Sequence, residues 1–319
     1  MSAPTRQEIL LETGTNEVEI IEFRLGLQSF GINVAKVREI IPYKDEDLTE
    51  IPDCHASVMG MVTLRSRNIP IVSLNRHLSR TPAAVDPNRR VVLICEFNEL
   101  VTGFLVDGVN QIHRASWDSL KPMTAMMGGD NSRLTGSINI DDREILVLDV
   151  ERIVTEIDPS TRMTYSDEDL AVENASLNTV TTREQVKLIL AEDSLVIRAS
   201  IEQILKKVGY QNVASFDNGK AAYDEIVRRK EAAVKKKGPL SDILTCLVTD
   251  IEMPQMDGLT LTKKVKKELA LPVKVIIFSS LINEQMAIKC REVGADAYIT
   301  KPKAKTLVAL IDRFTLEAE

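Results

Sequence analysis

Four apolar stretches of this chain stop on side chains suited to holding a phosphoryl group: "KLILAED" on Glu192 and Asp193, "ILTCLVTD" on Asp250, "VKVIIFSS" on Ser279 and Ser280, and "AYITK" on Lys301. Three carboxylates about 5 Å apart repel pairwise by roughly 3 kcal/mol at an effective dielectric near 20, so a convergence of these acids calls for a cation. A hard divalent ion with oxygen ligands, Mg²⁺ keeping several waters, suits one or two carboxylates plus a phosphoryl oxygen. Lys301 adds a fixed positive charge and a serine hydroxyl donates to a second phosphoryl oxygen. The chemistry served by such a set is phosphoryl transfer to a carboxylate, in which positioning and charge neutralisation dominate.

These groups meet only if the elements beneath them are regular. From "VKLILAED" onward, strand-like runs alternate with helix-like ones: "LVIRASIEQILKKVG", "KAAYDEIVRRKEAAVKKK", "LTLTKKVKKEL", "EQMAIKCREVG" and "AKTLVALIDRFTLEA" follow successive strands. That alternation predicts a doubly wound α/β (βα)5 domain, a parallel sheet with helices on both faces. The run "ILTCLVTD" is apolar throughout, as befits a central strand covered on both sides. In such a sheet, sites form outside the carboxyl ends of the strands at the topological switch point, where the charged residues fall.

Upstream the rhythm differs. From about Glu17, short runs such as "VEIIEFRLG", "IPIVSL", "RVVLICEFN" and "REILVLDV" are separated by turn residues, which predicts an all-β barrel or sandwich. Between the halves, "DPSTRMTYSDEDLAVENASLNTVTT" has too few large apolar groups to offset its ordering entropy, so 158–184 reads as a flexible linker with a reach on the order of 25–30 Å. The expected organisation is a 1–16 N-terminal helix or tail, a 17–157 β domain, the linker, and a 185–319 α/β domain. At 319 residues the chain suits two such domains.

Composition excludes several classes. With 47 acidic and 40 basic residues, net −7, nothing draws the chain as a whole to nucleic acid or anionic lipid. The basic run "RRKEAAVKKKG" lacks interleaved aromatics and reads as a solvated helix end. Cys54, Cys95, Cys246 and Cys290 have no Cys-x-x-Cys spacing and read as reduced thiols in the core. His55, His77 and His113 each stand without a second ligand at helical or strand spacing, which argues against a metal role. "MMGGD" reads as a turn. The absence of a signal peptide and of any run of about 18 apolar residues points to a cytoplasmic, soluble protein without membrane insertion.

The acidic pair in "ILAEDS", the segment "DIEMPQMDG", the hydroxyls of "IIFSS" and "YITKP", in that order, resemble a response-regulator receiver domain similar to the chemotaxis protein CheY. The resemblance implies parallel strand order 2-1-3-4-5. It makes Asp250 the phosphoacceptor, gives Mg²⁺ to Glu192, Asp193, Asp250 and the backbone carbonyl of Glu252, and places Ser279 and Lys301 against the phosphoryl group. Tyr298 becomes a rotamer switch and the Lys301-Pro302 bond is expected cis. Here Glu192 stands where an Asp is usual, and Ser279 lacks the methyl of Thr.

Upstream, "EFRLGLQSFGINVAKVREII", "VMGMVTLRSRNIPIVSL", "GFLVDGVNQI" and "GSINIDDREILVLDVERIV" resemble a CheW coupling domain, whose fold is two small β-barrels. The resemblance reads the first segment as a strand, a turn with Gly31, and a second strand leading to a helical stretch with Val37 and Glu39. Arg65, in "TLRS", stands at the arginine of the family's "NLRG", without its Asn and Gly. Arg65, expected to pair with Glu39, is read as structural before it is read as a partner contact.

A coupling domain followed by a receiver is the arrangement of the CheV family. It implies a signalling adaptor rather than an enzyme, joining chemoreceptors to the histidine kinase CheA at cytoplasmic receptor arrays. Mg²⁺-dependent phosphorylation on Asp250 regulates it, with self-promoted dephosphorylation and a phosphate-sink or adaptation role as further expectations. A haloacid-dehalogenase-type enzyme would need Asp-x-Asp-x-Thr, which "DIEMP" is not. A transcription regulator would need a DNA-binding domain, and the upstream half is β-rich and not basic. A receiver that has lost phosphorylation usually lacks an acid or the lysine, and both are present.

Overall fold

A computed structural model describes residues 14–80, 89–98, 100–123, 133–161, 182–239 and 243–316. Of the expected N-terminal helix or tail over 1–16, residues 1–13 lie outside them, as do the "MMGGD" turn and residues 162–181 of the expected linker over 158–184.

The first half is built of strands β1 Glu17–Leu25, β2 Gln28–Asn33, β3 Val37–Pro42, β4 Val58–Leu64, β5 Arg67–Ser73, β6 Val91–Phe97, β7 Leu100–Val106, β8 Gly108–Ser116, β9 Leu134–Ile140 and β10 Arg143–Leu148, with helices α1 Leu74–His77 and α2 Val150–Ile157. They form two five-stranded sheets, ordered β8-β1-β2-β10-β9 and β3-β6-β7-β5-β4. Phe23, Phe30, Leu93, Phe104 and Ile153 share one apolar core that draws on both sheets and on α2. This is the β-rich architecture expected, and it differs in two local readings. Gly31 is not a turn residue but sits inside β2, where a Cβ would lie 2.5 Å from Ile20 Cγ2 and 3.2 Å from Ile145 Cγ2. The chain turns at Gly26 instead, with φ 64°. Val37 and Glu39 belong to β3, and the helical piece is a single 3₁₀ turn over Val34–Lys36, capped by Asn33 Oδ1 accepting from Ala35 N–H at 2.9 Å.

The second half alternates β11 Lys187–Ala191, α3 Leu195–Lys207, β12 Asn212–Phe216, α4 Gly219–Lys235, β13 Cys246–Thr249, α5 Gly258–Lys263, β14 Lys274–Ser279, α6 Glu284–Val293, β15 Ala297–Thr300 and α7 Ala304–Thr315. All its strand pairs are parallel, in the order β12-β11-β13-β14-β15, which is 2-1-3-4-5 within the domain. Successive residues of β13 feed opposite faces: Val248 packs with Leu205 and Ile311, Leu247 with Ile226 and Val265. Ser194, Asn218, Asp257 and Asn283 cap α3, α4, α5 and α6, each side chain accepting from the N–H three residues on. The helix expected from "LTLTKKVKKEL" is α5 followed by a π turn over Lys264–Glu268.

Arg183, which composition assigns to the linker, is buried beside α7, donating to Asp312 through Nε at 2.9 Å and Nη2 at 2.6 Å. Cys95, Cys246 and Cys290 are buried as expected, whereas Cys54 is exposed in the loop before β4. No described helix is long and apolar enough to cross a membrane.

Candidate functional site

The carboxyl ends of β11, β13 and β15 lie side by side, because parallel pairing sets Ala191 beside Thr249 and carries β14 and β15 in the same direction. The next residues therefore project over one edge. Carboxylate oxygens of Glu192, Asp193 and Asp250 all lie within 4.8 Å of one another. Lys301 Nζ reaches between two of them, 2.8 Å from Asp250 Oδ2 and 2.8 Å from Glu192 Oε2. Glu192 and Lys301 are 1% and 3% exposed, so water screens this trio little. Asp250 Oδ1 accepts from Ile251 N–H at 2.6 Å, which fixes the carboxylate plane.

The electrostatics follow from crowding like charges in a buried place. Burial pushes the Glu192 carboxyl up to about 8, with Asp250 adding to the rise and Lys301 opposing it. Burial and the charges of Glu192 and Asp250 hold Asp193 well above the usual carboxylate range. Burial works to lower Lys301, but Asp250, Glu192 and Glu151 overcome it and keep the ammonium charged. The donor set is all hard oxygen, acids outnumber the cation among them, and the oxygens stand close enough to share one ion; the residues fit Mg²⁺.

Ser279 is fully buried at the end of β14, its Oγ accepting from Leu281 N–H at 3.4 Å. Tyr298 lies half-buried against the cluster of Ile251, Ile277 and Leu281, its hydroxyl accepting from Arg291 Nη1 at 2.6 Å. The Lys301-Pro302 bond is cis. In the coupling half, Arg65 Nη2 lies 2.9 Å from Glu39 Oε2, with Val37 two residues from Glu39 at the start of β3.

Sequence reasoning missed a set of residues from the first half that close over this edge. The Glu252 side chain is held by the first half: Asn33 Nδ2 donates to Oε1 at 2.7 Å, and Lys36 Nζ lies 2.7 Å from Oε2. Lys36 also pairs with Glu151 on α2 at 2.8 Å, and Ser280 Oγ donates to that same carboxylate at 2.5 Å. Lys36 and Lys301 hold Glu151 down at about 2 against the upward push of burial. Asn98 N–H donates to the Ser280 carbonyl at 3.4 Å. Farther along, Asn16 Nδ2 donates to the Gln255 carbonyl at 2.8 Å, Asp257 N–H to Asn16 Oδ1 at 2.9 Å, and Gln255 N–H to the Trp117 carbonyl at 2.9 Å. The acids thus face a chamber of about 360 Å³ whose opposite wall, with Lys36, Trp117 and Glu151, belongs to the β half. No spacing rule pairs residues 129 or 219 positions apart, so nothing in the sequence singled out Lys36 or Glu151.

Comparison with known proteins agrees with this division. Residues 19–158 match the CheW-like domain family and residues 188–312 the response regulator receiver domain family. The chemotaxis protein CheV3 of Helicobacter pylori is 30% identical over 314 residues, 93% of this chain and 94% of that protein. CheV2 of the same organism is 27% identical over 305 residues, 90% of this chain and 91% of that one. The probable chemotaxis protein CheW of Rhizobium etli is 33% identical over 141 residues, 43% of this chain and 88% of its own length.

Proposed function

The chain belongs to the CheV family of chemotaxis proteins, and on that premise we propose that it is an adaptor whose coupling domain, 17–157, joins chemoreceptors to the histidine kinase CheA at cytoplasmic receptor arrays, while its receiver, 185–319, takes a phosphoryl group from that kinase on Asp250. One observation carries the reading: Glu192, Asp193 and Asp250 converge within 4.8 Å at a strand edge with Lys301 at 2.8 Å. Glu192, Asp193, Asp250 and the Glu252 carbonyl would hold Mg²⁺, which supplies charge neutralisation for the phosphoryl oxygens.

The chain's own groups do the rest. Ile251 N–H and Lys301 orient the Asp250 carboxylate. An Asp250 oxygen forms the new P–O bond as the P–N bond of the kinase's phosphohistidine breaks, its electron pair leaving with the imidazole nitrogen. Lys301 stays within reach of the transferred oxygens and Ser279 donates to one of them. The phosphoryl group, about −1.5 to −2 in place of the carboxylate's −1, draws in Ser279, and Tyr298 follows, altering the surface formed by the last strands and helices.

Mixing the protein with phosphorylated kinase and Mg²⁺, in wild-type and Asp250→Asn forms, tests this. Label moves to the wild type and stays at background in the variant. Undiminished transfer to Asp250→Asn overturns the assignment.

A further inference from the structure

The receiver edge that accepts phosphate is the edge that docks on the coupling domain. Glu252, two residues past Asp250, is gripped by Asn33 and Lys36, and Ser280, next to Ser279, is gripped by Glu151 and the Asn98 backbone. The charges alternate across the seam: Lys36 from one domain stands between Glu151 of its own domain and Glu252 of the other, 2.8 and 2.7 Å from the two. All three side chains are largely shielded from water, which makes the loss of one member costly, because it leaves a buried charge without its partner.

The approach to Asp250 is confined in consequence. Asp250 is 6% exposed and lines a chamber of about 360 Å³ that residues of the coupling domain, Lys36, Trp117 and Glu151 among them, also line. A folded phosphodonor domain of about 100 residues has a radius of gyration near 13 Å and cannot enter it. A small acyl phosphate needs only the space of a few waters.

We propose that the coupling domain caps the receiver, so that the Lys36–Glu151 face and a protein phosphodonor compete for one surface and transfer from the protein donor requires the domains to part. This rests on the phosphoacceptor reading of Asp250. With both donors the bond formed is P–O to Asp250; the bond broken is the P–N bond of the phosphohistidine or the P–O bond of the acyl phosphate, and the imidazole or carboxylate departs with the electron pair. For reaching the chamber, what separates the two donors is their bulk.

The test compares labelling of the full chain by a phosphorylated histidine domain and by acetyl phosphate, each with Mg²⁺, in wild type, Lys36→Ala and Glu151→Gln. Docking is followed separately by acrylamide quenching of Trp117, the one tryptophan of the chain, which lines the chamber and whose carbonyl bonds the receiver. Lys36→Ala leaves the Glu151 and Glu252 carboxylates buried without their shared cation and shifts docking by more than a decade, so labelling by the histidine domain rises at least about tenfold in that variant while labelling by acetyl phosphate stays within about twofold; Glu151→Gln keeps the Lys36–Glu252 pair across the seam and changes labelling by the histidine domain less. Trp117 quenching rises in parallel. Equal labelling by the histidine domain in wild type and in a variant whose quenching has risen overturns the cap, and so does unchanged quenching in both variants. A wild type that acetyl phosphate leaves unlabelled counts against Asp250 as acceptor. Affinity for the histidine domain, at least about tenfold higher in Lys36→Ala if the cap holds and unchanged if it does not, then decides the cap alone.

Discussion

Glu22 lies fully buried on β1 with four polar groups at its carboxylate: Ser29 Oγ at 2.6 Å, His113 Nε2 at 2.8 Å, Asn110 Nδ2 at 2.9 Å and Arg143 Nη1 at 3.0 Å. Burial alone would raise its carboxyl; the four partners outweigh that and bring it from 4.5 to about 2. A folded-state value below the unfolded one stabilises the fold at any pH above about 4.5, and the contribution, on the order of 3 kcal/mol, is lost as pH falls toward 2. Urea unfolding of wild type should therefore weaken steeply from pH 5 to pH 3, whereas Glu22→Gln starts 2–3 kcal/mol less stable, an order-of-magnitude figure, and changes less across that window. Parallel curves would show that the charge contributes nothing. His113 looked solitary in the sequence because its partner is 91 residues away on another strand. His77 is similar, set between Ser57 Oγ at 3.1 Å and Glu156 Oε2 at 3.2 Å. Both are satisfied histidines of the fold, and neither belongs to the one acidic group among the described residues that could hold a metal.

The hairpin joining β4 to β5 tests a single element. Arg65 and Ser66 both take left-handed backbone, φ 49° and 65°, the form that lets a two-residue loop match the twist of its strands. Neither residue is glycine, so the turn carries strain of about 1 kcal/mol per residue. Ser66→Gly removes it at one position, with a partial entropic offset, and should stabilise the coupling domain by about 0.5 kcal/mol and raise its Tm by 1–2 °C, a rough figure, in scanning calorimetry. A lowered Tm would mean that the Ser66 side chain holds the turn. Elements of this kind were legible to different depths. Every receiver strand could be read, because period and polar stops coincide there. The β half misled at Gly31, where glycine serves the close approach of Ile20 and not a turn, a contact that exists only once β1, β2 and β10 pair.

At the scale of the whole molecule, the convergence of Glu192, Asp193, Asp250 and Lys301 was legible because each ends a strand, and strand order brings strand ends together. The seam against the coupling domain was not, because Lys36 sits in a 3₁₀ turn and Glu151 on the first turn of α2, where a charged residue is ordinarily a solvated one. Their meaning comes only from docking. In the resting chain Lys36 balances Glu151 and Glu252, and the Ser280 hydroxyl adds its bond to Glu151. A phosphoryl group on Asp250, about −1.5 to −2 in place of the carboxylate's −1, adds up to about one negative charge at this seam and draws Ser279, hence the neighbouring Ser280, toward itself. Glu151 then loses a donor and gains a repelling neighbour, and both effects favour separation. Beryllofluoride with Mg²⁺, mimicking the phosphoryl group, should therefore raise acrylamide quenching of Trp117 and enlarge the radius of gyration in small-angle scattering, with Asp250→Asn unresponsive. In Lys36→Ala, already open, the mimic should add little. A mimic that binds while Trp117 and the scattering curve stay at their resting values would show that phosphorylation leaves the domains docked, and signalling would then have to run through the outer face near Tyr298.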